Sequence, residues 1–135
     1  MNKPTKYREL YSLVLPAGSE DNIGKVEDCV IRAFSLAFDI PYPTVVQHFY
    51  YICHPNNGGY SFNDIRKVVD TLDYDYSVLV PTTKVLVREM LENKSTMIVG
   101  CTLQDDYHVT LIKKHKLLDS SAKFLDYEVI FCFSF

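Results

Sequence analysis

The hydrophobic period of this chain shifts from mainly helical to mainly strand-like towards its end, and that shift limits what it can fold into. Between residues 28 and 93 apolar side chains recur mainly at helical spacing, whereas from Thr96 onwards they alternate or cluster in short strand-like blocks. Asp28 is a suitable N-cap for a first helix, in which Ile31, Phe34, Ala37 and Phe38 recur at helical spacing. Ile40-Pro41-Tyr42-Pro43 breaks it, and residues 44–51 are expected to form a second helix with Val45, Val46, Phe49 and Ile52 on its apolar side. The Pro55-Asn56-Asn57-Gly58-Gly59 loop leads to Ser61-Phe62-Asn63-Asp64, a capping signal for a third helix that buries Phe62, Ile65, Val68, Val69 and Leu72. A fourth helix is expected over 82–93, with Val85, Leu86, Met90 and Leu91 inside.

Strands are expected at 8–15 and at 74–80, where Pro81 stops the run, with residues 16–27 as a polar loop between the first strand and the first helix. Further strands are expected at 96–101, at 108–113 and 116–120 as a hairpin, and at 127–135 to close the sheet. Helices first and an antiparallel sheet last is an α+β layout, in one domain spanning 1–135.

At 135 residues and 47% hydrophobic content, a chain buries roughly two-thirds of its unfolded surface and needs no staple to hold a core. The net charge of −3 gives no broad basic footprint, so a dedicated nucleic-acid binder is not expected. Lys113, Lys114, His115 and Lys116 form the one local basic cluster, and it reads as a solvated hairpin tip. No apolar run marks a signal peptide at the start, and no stretch approaches the ~20 residues that span a membrane. A cytoplasmic protein with free thiols and no membrane association is therefore expected. His48, Cys53 and His54 lie near one another, but no second ligand group with zinc-type spacing accompanies them, and neither a metal nor a cofactor is expected. Oligomeric state has no sequence signal beyond the aromatic 127–135 run, which would leave a pairing edge if it ended the sheet.

The four cysteines show no CxxC pair. Cys101 and Cys132 fall within apolar strand runs and read as core. Cys29 differs: it follows a polar, glycine-containing loop and sits in the first turn of a helix. There the free N–H groups and the positive end of the helix dipole favour a thiolate, and the Cys29 N–H itself can receive a developing oxyanion. The competing reading is a buried helix cysteine, since free cysteine is among the most buried residue types.

His108 opens a strand, and Asp119 ends the next apolar run. If Lys114-His115 form a two-residue turn, Lys113 opposes Lys116 and Thr110 opposes Asp119. His108 shares a face with Thr110 because strand side chains alternate, so Asp119 becomes its diagonal neighbour, within carboxylate–imidazole reach. An odd-length loop would turn Asp119 to the other face. Taken together, Cys29, His108 and Asp119 fit a nucleophile, a base and an acid that orients the base.

Asp28-Cys29-Val30-Ile31-Arg32-Ala33, the Tyr42-Pro43-Thr44-Val45 helix start, and the order Ile98-Val99-Gly100, His108-Val109-Thr110, Leu118-Asp119-Ser120 resemble small phage and bacterial papain-like cysteine peptidases. The resemblance covers roughly residues 22 to 121 and its motifs are short. It implies a papain-like fold, with the nucleophile atop a buried helix and His and Asp on successive strands. Two departures stand out. Lys114-His115 replaces the Asp-Gly often found in the His–Asp hairpin. No Gln precedes Cys29 to complete an oxyanion hole, and Asn22 is the nearest substitute.

The expected chemistry is acyl transfer through a Cys29 thioester, most simply cleavage of a peptide or isopeptide bond in a protein or peptide substrate. The alternative is a catalytically inactive papain-like fold that sequesters a partner through Tyr50-Tyr51 and the 56–60 region. By analogy with phage members, either form would work in a host cytoplasm on a host or virion protein.

Overall fold

A computed structural model describes residues 28–53 and 60–135, together with the backbone of Tyr11–Leu13. In chain order the elements are β1 (Tyr11–Leu13), α1 (Cys29–Phe38), α2 (Tyr42–Ile52), α3 (Phe62–Asp70), β2 (Ser77–Leu79), a 3-10 helix (Val87–Glu92), β3 (Met97–Leu103), β4 (Asp106–Lys113), β5 (Lys116–Asp119), a second 3-10 helix (Ala122–Asp126) and β6 (Glu128–Ser134). The expected α+β order stands. The loop at 16–27, the glycine loop at 55–59, Asn22 and His54 lie outside the described residues.

Each helix forms for local reasons. α1 buries Val30, Ile31, Ala33, Phe34 and Ala37 on one side and ends where Asp39 turns left-handed at φ 54°. Pro41 occupies the N-cap of α2 and Pro43 its first turn, where missing amide hydrogens cost nothing; Tyr42, Val45 and Phe49 face inwards. Val46, expected inside, is exposed. α3 starts on a capping box: Asp64 N–H donates to Ser61 Oγ (3.2 Å), and Ser61 N–H to Asp64 Oδ2 (3.0 Å).

The six described strands form one sheet in the order β1-β5-β4-β3-β6-β2. β2 to β6 are antiparallel to their neighbours, and β1 adds to β5 in parallel. On one face Ile98, Val109, Leu111, Phe131 and Phe133 meet the three helices, around Phe34, Phe49 and Ile65. On the other face Met97, Val99, Cys101, Ile112, Leu117 and Cys132 meet Val87, Leu91, Phe124 and Leu125 of the 3-10 helices. The sheet is thus a middle layer with a core on each side. Gly100 allows a close approach: a Cβ there would lie 2.2 Å from the Phe131 ring.

Three expectations need correction. The helix predicted over 82–93 is a 3-10 helix of half that length. Val87 N–H donates to the Tyr127 carbonyl (2.9 Å) and Val129 N–H to the Val85 carbonyl (2.7 Å), so this backbone is spent on the start of β6. The strand at 74–80 shortens to Ser77–Leu79. The 127–135 run lies inside the sheet between β3 and β2, so its edge is not available to another chain. Among the described residues no single helix is long and apolar enough to cross a membrane.

Candidate active site

The β4–β5 hairpin has the register the sequence requires. Lys113 opposes Lys116, Ile112 opposes Leu117 and Leu111 opposes Leu118, which leaves Lys114 and His115 as a two-residue turn. Both turn residues are left-handed (φ 53° and 63°), as a type I′ turn demands, although neither is Gly or Asn. Two contacts offset that cost. His115 Nδ1–H donates to the Leu91 carbonyl (2.8 Å), and Lys113 Nζ donates to the Leu36 and Ala37 carbonyls at the end of α1 (3.4 and 3.3 Å). Lys114 and His115 are exposed at the tip, as expected of a solvated turn, while His115 and Lys113 are also tied to the fold by these bonds.

This register brings His108, Thr110 and Asp119 together. His108 Nε2 donates to Asp119 Oδ2 (2.7 Å), and Thr110 Oγ donates to the same oxygen (2.5 Å). Asp119 Oδ1 accepts from Ser120 N–H (2.6 Å) and Ser120 Oγ (3.3 Å). His108 and Asp119 are both buried. Burial opposes the charge on His108, but the hydrogen bonds to Asp119 and then to Cys29 outweigh it and raise its pKa to about 9. Burial likewise opposes the Asp119 carboxylate, and its hydrogen bond with His108 prevails, holding the group below the ordinary range. The His108 ring also lies flat on Phe124, with centroids 3.6 Å apart and planes 2° from parallel.

Cys29 is the first residue of α1 and is half-buried. Its thiol is near enough to His108 to help raise the imidazole's pKa, and with Nε2 given to Asp119 the ring nitrogen left to face the sulfur is Nδ1. The three sequence-predicted residues therefore lie at one site, with His108 bonded to Asp119 and acted on by Cys29. The meeting crosses the sheet. Alternation puts His108 and Thr110 on the face of the 3-10 helices, whereas α1 packs on the opposite face. Contact is feasible because β5 stops at Asp119. Among the described strands, β4 from Asp106 to Val109 pairs only with β3, and His108 stands at a local edge open to Cys29. A void of about 10 Å³, roughly one water in size, lies beneath this edge among Cys29, Arg32, Val109, Thr110 and Asp119.

Asp28 occupies the N-cap position but makes no side-chain cap hydrogen bond, which corrects the sequence reading. Its buried carboxylate accepts from Tyr42 Oη (2.6 Å) and pairs with Arg32 (3.5 Å). The first-turn amides of α1, the Cys29 N–H among them, are left uncapped by that side chain. Asn22, the predicted second oxyanion donor, lies outside the described residues.

The other cysteines serve the core. Cys53, Cys101 and Cys132 are buried, and burial pushes the Cys101 thiol up and Cys132 to about 11. Cys53 Sγ donates to the Asp64 carbonyl (3.5 Å), and His48 Nε2 to Thr71 Oγ (2.9 Å). Among the described residues no three His, Cys, Asp or Glu side chains cluster as metal ligands would. Sequence reasoning missed Phe124 and Ser120. Nothing local flags Phe124, while Ser120 is next to Asp119 and its N–H is an obvious donor. No protein-family model, no curated protein and no solved structure matches this chain.

Proposed function

We propose that the protein is a papain-like cysteine hydrolase that cleaves a peptide or isopeptide bond in a protein or peptide substrate. The observation that carries this reading is the relay Cys29–His108–Asp119, in which the carboxylate is fixed by Thr110 and Ser120 as well as by His108. A pKa of about 9 keeps the imidazole protonated at neutral pH, beside the sulfur. The Cys29 thiolate attacks the carbonyl carbon, and the carbonyl oxygen takes up negative charge facing the Cys29 N–H. His108 gives its proton to the leaving amine as the C–N bond breaks, and a thioester remains. Neutral His108 then takes a proton from water as the hydroxide attacks the thioester carbon; the C–S bond breaks, the carboxylic acid leaves, and protonated His108 with the Cys29 thiolate is restored. Asp119 holds the ring in the orientation this exchange needs.

Alkylation with iodoacetamide tests the reading. The other three thiols are buried, so preferential labelling of Cys29 follows from exposure alone; the diagnostic result is its dependence on His108. Mass spectrometry should find Cys29 labelled rapidly at neutral pH, and roughly tenfold or more slowly in His108→Gln. Equal rates in the two proteins would refute an activated nucleophile.

A second reading, an inactive fold that binds a partner, draws support from Tyr50 and Tyr51 on α2, which are 60% and 86% exposed. Aromatic residues are enriched at interfaces. Slow, His108-independent labelling would favour it.

A further inference from the structure

The outer edge of β2 is poorly guarded. Among the described strands β2 ends the sheet and is paired only with β6. The chain from 74 to 81 contains no turn or helix. Exposed edges are ordinarily protected by charge or by cover. Tyr76-Ser77-Val78-Leu79-Val80-Pro81 carries no charge, and Val78, Leu79 and Val80 are 39%, 49% and 60% exposed. Val78 opposes Phe133, so it lies on the helix-covered face, and alternation adds Tyr74, Tyr76 and Val80 to the same side. Tyr74, itself exposed, stacks on Phe38 at the end of α1. An apolar strip thus runs along the margin where the helical layer stops.

We propose that this edge pairs antiparallel with the β2 edge of a second copy, joining two sheets across a two-fold axis. An antiparallel strand pair is self-complementary, so outward N–H and C=O groups meet the same set reversed. The charges fit this arrangement. Exposed Asp73 and Asp75 precede the edge and exposed Lys84 follows it, so reversal brings acidic flank to basic flank. The middle has no like charges to oppose. A pairing confined to 74–81 buries less than the roughly 800 Å² per partner of a standard interface, so the dimer is weak and concentration-dependent.

Sedimentation velocity tests the proposal. The weight-average mass should rise from the 15.6 kDa of one chain towards twice that value between about 10 µM and about 1 mM protein. Val78→Lys and Val80→Lys, at exposed positions, should each weaken the dimer at least about tenfold while leaving the far-ultraviolet circular dichroism unchanged. Amides of 77–80 should gain hydrogen-exchange protection only at high concentration. A chain that stays monomeric to about 1 mM overturns the proposal. So does a dimer that survives both folded variants, or one that leaves those amides unprotected.

Discussion

Substituting His108 with Gln removes the titrating group that is hydrogen bonded to Asp119, and the effect on stability has a definite sign. His108 is raised from 6.5 to about 9 because its bonds to Asp119 and Cys29 outweigh burial. Each tenfold change in proton affinity is worth about 1.4 kcal/mol, so the folded protein holds the protonated ring about 3 kcal/mol better than the unfolded chain does. Below pH 6.5 the ring is protonated in both states, and this stabilisation is fully present. As pH rises, the unfolded chain releases the proton first, and the stabilisation drains away until the folded ring also deprotonates at about 9. The acid side mirrors this: Asp119 is lowered, so its contribution is present above the ordinary carboxylate value of 3.8 and fails as pH falls through its folded value. These are two views of one ion pair, and their energies do not add.

Urea unfolding of the native and His108→Gln proteins from about pH 6 to about pH 10 reads the effect directly. The native protein should lose about 3 kcal/mol more than the variant across that span, a midpoint shift of about 2 M at an m-value near 1.5 kcal/mol/M. Groups remote from the site titrate alike in both proteins and cancel in the difference. In the native protein the His108 ring protons should titrate by NMR near pH 9, the resonance being assigned by its disappearance in the variant. Parallel stability curves, or a ring that titrates at or below 6.5, would refute the reasoning.

Two further substitutions probe the surroundings. Thr110→Val keeps the shape of a buried side chain but removes a donor to Asp119, and should cost about 1–2 kcal/mol by chemical denaturation. It should also move the NMR titration of His108, because the carboxylate it pairs with is less well satisfied. Gly100→Ala drives a methyl group against the Phe131 ring and should destabilise by about 2 kcal/mol or more; adding Phe131→Leu should recover part of that loss, measured as a double-mutant cycle.

The parts of the site legible in the sequence were those fixed by counting. A period of two and a two-residue turn place Asp119 beside His108 and Thr110, and no long-range information is needed. The parts that stayed hidden depend on distant partners. Val85 and Val87 sit in a helical pattern, yet their backbone pairs with Val129 and Tyr127. Asp28 looks like a cap from its neighbours, but Tyr42, a helix away, takes its carboxylate. Phe124 gives no local sign that His108 will lie on it.

The same counting that joins His108 to Asp119 also sets it apart from Cys29. Alternation assigns the imidazole to the face opposite α1, so hairpin register alone would forbid the relay. What permits it is the length of β5. A strand continuing past Asp119 would pair with Val109 and His108 and fill the edge through which the sulfur and the ring now meet. The Asp119 carboxylate, bonded to the N–H of the next residue, Ser120, lies where the strand ends, and its second oxygen reaches back to His108. The end of β5 therefore does two things at once: it turns the carboxylate towards the ring and leaves the ring open to the thiol. Extending β5 would be expected to break the relay even with Cys29, His108 and Asp119 all in place.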